Sequence, residues 1–550
     1  MMSESPTMTL AQSMQETLRG LPAFVPILIL AGTVLGVLLW DFFNSRANSR
    51  RVGWLAAVGV VAAGAVVIRF WCVPPAFGVR TGWGMLQADL FTWFFALLFL
   101  LGTLVVIGMT MADAEIADFR MGEYYALLLT ATLAAITLVA STNLAVLYLA
   151  FETLSLPSYV LAGYRKTDRQ AAEASLKYLL FGAMASGIML YGLSILYGLT
   201  GTLDLQAIHT VAPENHGALL LVFVLLVAGF GFKMSLAPFH FWAPDVYQGA
   251  PTPITAYLSV VSKAAGFAAF ARLVAALTEG GTFFRTASTS PITEFELASL
   301  FWILAVLTML WGNFVALRQR DAKRLFAYSS IAHAGYMFMA FVAQNEAGAE
   351  ALLFYFVVYA IANFAFFYGI QLVYRSRGTY ELNGFRGLVY SSPVVAATLS
   401  VMLWSLIGLP PSAGFVGKWK LFYSVIEQAH TSPIPALYYS LVLIAVGTSV
   451  VALYYYVQII RLMSFYEPEG PAPALRVSPL GKLALCVAAA LILLIQLNWQ
   501  PLSQSARAAI KASTNPSAFH SSQPAPQSLA NSAVGAQNES RPLAQREATR

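Results

Sequence analysis

Between residues 23 and 498 the chain is a succession of apolar runs, each near the roughly 20 residues that carry a helix across a bilayer. No water-soluble core absorbs that much apolar surface. The 550 residues are 58% hydrophobic and only 11% charged, where soluble domains carry about 25% charged residues. In lipid every backbone N–H and C=O must find its partner within the chain, so the runs are expected to be helices. The predicted class is an all-α polytopic membrane protein.

Spans are expected near 23–42, 53–71, 89–110, 123–141, 143–164, 173–199, 218–238, 252–277, 297–316, 324–345, 350–374, 391–411, 435–460 and 480–498, about 14 in all. They divide the chain into a polar segment 1–22, three N-terminal helices within 23–122, five helices over 123–277, five more over 297–463, and a last helix at 480–498. The first 20 residues lack a basic stretch before an apolar core, so no cleaved signal peptide is expected. The tail 501–550, rich in Ser, Ala, Gln, Pro and Asn, is expected to be disordered. Cys72 and Cys486 lie at or in apolar segments, match no metal spacing, and read as packing residues.

The loops set the orientation. With strict alternation, NSRANSRR, YRKTDRQ, LRQRDAKR and YRSRGTYELNGFRG fall on one side, which holds about 16 Lys and Arg against Arg80 and Arg285 opposite. That side is expected to be cytoplasmic, and both termini periplasmic in a bacterial host. The +6 net charge is thereby explained by topology, and no nucleic-acid partner is expected.

Two spans carry prolines next to a lysine. In the seventh, GFKMSLAPFHFWAPD places Lys233 five residues before Pro238; in the twelfth, GLPPSAGFVGKWKLF places Lys418 after Pro410 and Pro411. A proline breaks a helix, and a broken helix inside a membrane exposes backbone groups that hold water and polar side chains. The break supplies a polar pocket and the lysine an ionisable group within it. Spans seven and twelve run in opposite directions, which suggests two five-helix repeats of inverted topology.

Further charges sit at membrane depth, where insertion costs about 2.5–3.5 kcal/mol and such residues usually line an interior path. Glu152 is near the middle of the fifth span and too short to reach water. Lys263 lies about eleven residues into the eighth, flanked by small residues. His333 is central in the tenth, preceded by the hydroxyls of Tyr328, Ser329 and Ser330. A lone buried histidine is often a satisfied core residue, yet its ordinary pKa lies near neutrality and suits proton exchange. Lys177 is about a turn from the end of the sixth span, where snorkelling or pairing competes with proton transfer. Arg272 reads as structural. His240 and Asp245 belong to the unwound region or the membrane boundary. The candidate row is therefore Glu152, Lys177, Lys233, Lys263, His333 and Lys418. No Walker loop, Gly-rich dinucleotide turn, or haem or iron–sulfur cysteine pattern accompanies it. Cation or proton movement, with no redox centre and no metal in this chain, is the reading that follows.

LAFETLSLPSYVLAGYR, EASLKYLLFGA, DVYQGAPTPITAYLSVVSKAAGFAAF and GLPPSAGFVGKWKLF closely resemble the antiporter-like subunits of NADH-quinone oxidoreductase, respiratory complex I, over roughly residues 85–465. The FVGK of the broken twelfth span, and the absence of a long lateral helix after the last span, place the resemblance in the N branch rather than L or M. The resemblance implies fourteen helices in two inverted repeats, and a proton-translocating subunit of an NADH:quinone oxidoreductase in the bacterial inner membrane. It implies that Glu152 tunes Lys233, that Lys263 connects the halves, that Lys418 serves the outlet side, and that His333 lies on the same axis. NADH, FMN, iron–sulfur clusters and quinone would be bound by other subunits. The partners would be the neighbouring antiporter-like subunit M, small membrane subunits and lipid. The alternative is a subunit of a multisubunit cation/proton antiporter.

Overall fold

A computed structural model describes residues 20–44, 51–73, 80–81, 84–112, 120–210, 216–277, 294–467, 475 and 477–514. The helices are α1 (Leu21–Phe43), α2 (Val52–Cys72), α3 (Leu90–Met111), α4 (Met121–Ala140), α5 (Leu144–Ala162), α6 (Arg169–Thr200), α7 (His216–Met234), α8 (Trp242–Gly249), α9 (Thr252–Leu277), α10 (Glu294–Ala316), α11 (Ala322–Ala343), α12 (Glu346–Arg377), α13 (Pro393–Ile407), α14 (Ala413–Thr431), α15 (Pro435–Phe465), α16 (Pro479–Leu497) and α17 (Gln500–Thr514). Among the described residues, 13 helices are long and apolar enough to span a membrane, and Pro393–Ile407 is a shorter apolar one. Together they account for the expected spans. A small antiparallel pair, β1 (Arg80–Thr81) with β2 (Leu86–Gln87), lies between α2 and α3.

Short polar residues start the helices where the sequence turns. Asp89 accepts from Thr92 N at 2.8 Å, Asp321 from Arg324 N at 2.9 Å, and Asn345 from Gly348 N at 2.8 Å, each pairing an N–H that the first turn leaves free. The expected breaks occur. α7 stops at Met234 and the chain resumes helix only at Trp242; α13 stops at Ile407 and resumes at Ala413.

Alternation of sides is visible in contacts between loops. Bridges Leu86↔Ser141 and Asn143↔Asp204 join the loops after α2, α4 and α6 on one face. On the other, Asp321↔Glu381 joins the loops after α10 and α12, and Arg165 Nη2 donates to Gly249 O at 3.0 Å. α11 is the most enclosed helix, 94% of its apolar window buried against 22% for α1 and α16. The core therefore runs along α9, α11 and α12, and the terminal helices form the rim.

The tail differs from expectation at its start. Residues 501–514, expected from the sequence to be disordered, belong to α17, which packs on α12 and α3. Ser503, Ala506, Ala509 and Ile510 make one buried face at helical spacing. Residues 515–550 and the polar segment before residue 20 lie outside the described residues.

Arg272 has the structural role expected of it. It donates to both oxygens of Asp89 at 3.0 and 3.1 Å and to Val139 O at 2.8 Å, tying α9 to the starts of α3 and the end of α4.

Candidate functional site

Four of the six candidates come to lie in one buried layer through the middle of the bundle. Lys233, Lys263 and His333 are each 1% exposed and Lys418 3%. Burying four ionisable groups away from water requires a partner for every one of them.

Lys233 stands in the last turn of α7, where helix carbonyls end and a cation is favoured. Its Nζ donates to Ser155 Oγ on α5 at 2.6 Å and lies 4.7 Å from the centre of the Phe151 ring. Glu152 is on the same helix as Ser155, three residues earlier, and interacts with Lys233 electrostatically. The two form no direct ion pair, and Glu152 Oε1 is buried without a hydrogen bond.

Lys263 follows a single π turn at Leu258–Ser262 in α9. Such bulges re-aim the side chains beside them and recur at functional sites. Lys263 Nζ donates to Ser330 O on α11 at 2.8 Å and also to Ser330 Oγ. Tyr359 Oη on α12 donates to the same Oγ at 2.8 Å.

One turn of α11 beyond Ser330 comes His333. Its Nδ1 meets Tyr355 Oη at 2.9 Å and its Nε2 meets Tyr456 Oη at 3.0 Å. Tyr456 also bonds Ser329. The imidazole therefore bridges two phenols from α12 and α15. Gly417 on α14 packs so closely that an added Cβ would lie 2.4 Å from Tyr355 Cδ2.

Lys418 closes the row. Its Nζ donates to Ile407 O at 2.9 Å, the last residue of α13, and approaches Ser449 Oγ at 3.4 Å above the Tyr336 ring. A carbonyl freed by the break is satisfied by the lysine that follows the break.

Lys177 is apart from this layer. It bonds Asp245 at 2.6 Å and Glu173 at 2.7 Å, with its side chain 38% exposed. Asp245, on α8, also receives Arg324 at 2.6 Å. Partial burial raises the Asp245 carboxyl, but the hydrogen bonds from Lys177 and Arg324 outweigh it and hold it below the ordinary carboxylate range. This is an ion cluster at the rim that locks α6, α8 and α11 together. His240 is buried, with neither ring nitrogen hydrogen-bonded, against Phe241 and Trp311.

The sequence reading missed the hydroxyl partners Ser155, Tyr355, Tyr359 and Tyr456, and it named Ser330 beside His333 without its bond to Lys263. It also missed a second ion cluster. Glu350, at the start of α12, is 5% exposed and binds Lys420 at 2.6 Å, Arg507 at 2.5 Å, and Ser503. Among the described residues no group of three His, Cys, Asp or Glu side chains could hold a metal ion.

Residues 141–444 match the family model described as NADH:quinone oxidoreductase/Mrp antiporter, TM. NADH-quinone oxidoreductase subunit N of Anaeromyxobacter sp. is 37% identical over 517 residues, 90% of this chain and 98% of the relative. Subunit N 2 of Chloroherpeton thalassium is 38% identical over 74% of this chain and 80% of the relative. Among solved structures, a chain of respiratory complex I from Thermus thermophilus with bound aureothin superposes with a TM-score of 0.72 at 33% identity, covering 88% of this chain and 100% of that one. A chain of the Mrp complex from Dietzia sp. shares the fold, with a TM-score of 0.78 at 20% identity over 91% of this chain and 98% of that one.

Proposed function

The chain belongs to the NADH:quinone oxidoreductase/Mrp antiporter transmembrane family, on its subunit N branch, and on that premise we propose that it is a proton-translocating membrane subunit of an NADH:quinone oxidoreductase. The observation that carries the reading is the buried row Lys233, Lys263, His333 and Lys418, each held by hydroxyls or backbone carbonyls. Electron transfer belongs to other subunits, which would bind NADH, FMN, iron–sulfur clusters and quinone.

The mechanism is electrostatic. A change of charge reaching one end of the row shifts Glu152 relative to Lys233. Two unit charges 4 Å apart interact by about 4 kcal/mol at an effective dielectric of 20, enough to decide whether Lys233 keeps its proton. Closing the Glu152–Lys233 pair favours the ammonium, and opening it sends the proton toward Lys263, His333 and Lys418. Broken helices at both ends of the row fit two inverted five-helix repeats, each supplying one lysine at a break. The Lys177–Asp245–Arg324 cluster would lie on the cytoplasmic side, and both termini on the periplasmic side of a bacterial inner membrane.

The partners are the other membrane subunits, including a neighbouring antiporter-like subunit M. The test is purification of the tagged chain from its native membrane in mild detergent. Co-purifying flavin and iron–sulfur subunits with NADH:quinone turnover support the reading. A set of small membrane subunits alone, with no NADH oxidation, would move the chain to a cation/proton antiporter.

A further inference from the structure

The stem of Lys233 packs against α9 at Gly266, one turn from Lys263. Gly266, one turn beyond Lys263, lies so near that an added Cβ would sit 2.9 Å from Lys233 Cγ. Yet the Lys233 ammonium turns to Ser155 on α5, and the Lys263 ammonium to Ser330 on α11. A proton passing between them must cross from one serine to the other.

Two phenols occupy that interval. Tyr159 follows Ser155 by one turn on α5, and Tyr178 faces it from α6, with ring centroids 4.7 Å apart. Tyr159 is 4% exposed and Tyr178 fully buried, and neither hydroxyl has a hydrogen-bond partner. At longer range Tyr159 interacts with Ser155, and Tyr178 with Ser262 and Tyr247. Tyr247 Oη in turn lies 3.3 Å from Ser330 Oγ, which receives Lys263. The packing makes room for these hydroxyls. A Cβ on Gly182 would fall 1.9 Å from Tyr159 Oη, and Tyr178 stacks on Trp242 at 4.4 Å.

Packing alone does not call for a phenol at either position. Phenylalanine would keep both ring contacts, and an unpaired buried hydroxyl costs about 1–3 kcal/mol. Buried polar groups left open in this way are uncommon and demand a reason. A hydroxyl has one proton to give and lone pairs to receive another, so it passes a proton without changing its own state.

Resting on the proton-translocating reading above, we propose that Tyr159 and Tyr178 are relay residues that carry the proton between Lys233 and Lys263. The Lys233 ammonium gives its proton to Ser155 Oγ. Each hydroxyl in turn, Ser155, Tyr159 and Tyr178, accepts one proton and releases one. The last proton reaches the neutral Lys263 amine by way of Ser262, or of Tyr247 and Ser330. Lys233 ends one proton poorer and Lys263 one richer, with every hydroxyl restored. Gaps longer than a hydrogen bond are closed by hydroxyl rotation or by a water held between these polar groups.

The test uses the whole complex, reconstituted in vesicles, with Tyr159→Phe, Tyr178→Phe and the double variant. NADH oxidation and acidification are followed together, in H2O and D2O. Lys263→Met is run in parallel. The relay predicts that the double variant assembles, keeps or gains thermal stability, and loses most of its proton translocation. Its turnover slows more in D2O than the native complex does, which a merely structural role would not produce. Native translocation in the double variant, with translocation lost in Lys263→Met, would overturn the relay and leave the row standing. Native translocation in both would overturn the row itself. A double variant that fails to assemble would show the hydroxyls to be structural and also overturn the relay.

Discussion

Lys418 Nζ donates to the carbonyl oxygen of Ile407 at 2.9 Å, across the break that separates α13 from α14. The lysine and the break are therefore one device. The break frees a carbonyl, the carbonyl holds an ammonium, and the ammonium makes the buried carbonyl tolerable.

Replacing Lys418 by Met removes the charge and leaves the Ile407 carbonyl unpaired. The local cost is about 1–3 kcal/mol, small enough for assembly. NADH:quinone turnover in membranes should fall by about 100-fold, the lower end of what a positioned proton-transfer group contributes. Equal turnover in an assembled variant would exclude Lys418 from the path.

His333 bridges Tyr355 and Tyr456. His333→Phe would keep an aromatic ring but leave the Tyr355 hydroxyl unpaired, at about 1–3 kcal/mol, while Tyr456 keeps its bond to Ser329. Both thermal stability and turnover should decline. Gly417→Ala tests the same bridge with its three residues unchanged, because the new Cβ would meet the Tyr355 ring at 2.4 Å and push it away from His333. Its turnover should fall as well; unchanged turnover in both variants would make the bridge a packing feature.

Much of this was legible in the sequence, and the remainder was hidden for identifiable reasons. Apolar runs of spanning length, and charges rare enough to stand out within them, located the helices, both breaks and Lys233, Lys263, His333 and Lys418. The pairings of Ser155 with Lys233 and of Ser330 with Lys263 were invisible because serine is common in such helices and its partner is 78 or 67 residues away in sequence. The π turn before Lys263 leaves no compositional mark. α17 was misread because Ser, Ala and Gln dominate it; the signal available was the helical spacing of Ala506, Ala509 and Ile510, which the composition obscured.

That helix supplies its own prediction. Glu350 is the common acceptor for Lys420, Ser503 and Arg507. Glu350→Ala leaves Lys420, half-buried beside Phe354 and Trp499, with no carboxylate, a loss below the about 3–5 kcal/mol of a fully buried broken pair. Hydrogen exchange over residues 500–514 should accelerate strongly. Arg507→Ala removes a side chain that is 61% exposed and should change exchange little, as exposed pairs contribute about 0–1 kcal/mol. Unchanged exchange in both variants would mean that α17 is held by its apolar face alone.

The rim cluster gives a pH dependence. The Asp245 carboxyl is held below its ordinary value by Lys177 and Arg324. Its contribution is thus fully present above the unfolded-state pKa of about 3.9, and is lost as pH falls through the lower folded value. Exchange of α8 amides should be flat from neutrality down to about pH 4 and rise below it. In Asp245→Asn the fast exchange should already be present at neutral pH. A rise centred near pH 6 in the native chain would point to a histidine instead.

The central claim is that protons pass through the buried row. Its most direct test is proton translocation by the reconstituted complex carrying Lys263→Met, measured per NADH oxidised beside the native complex. Lys263 lies between the two breaks and has no exposed route of its own, at 1% exposure. The account predicts a complex that assembles and oxidises NADH slowly, with little or no acidification. An assembled variant that translocates protons at the native ratio would contradict it.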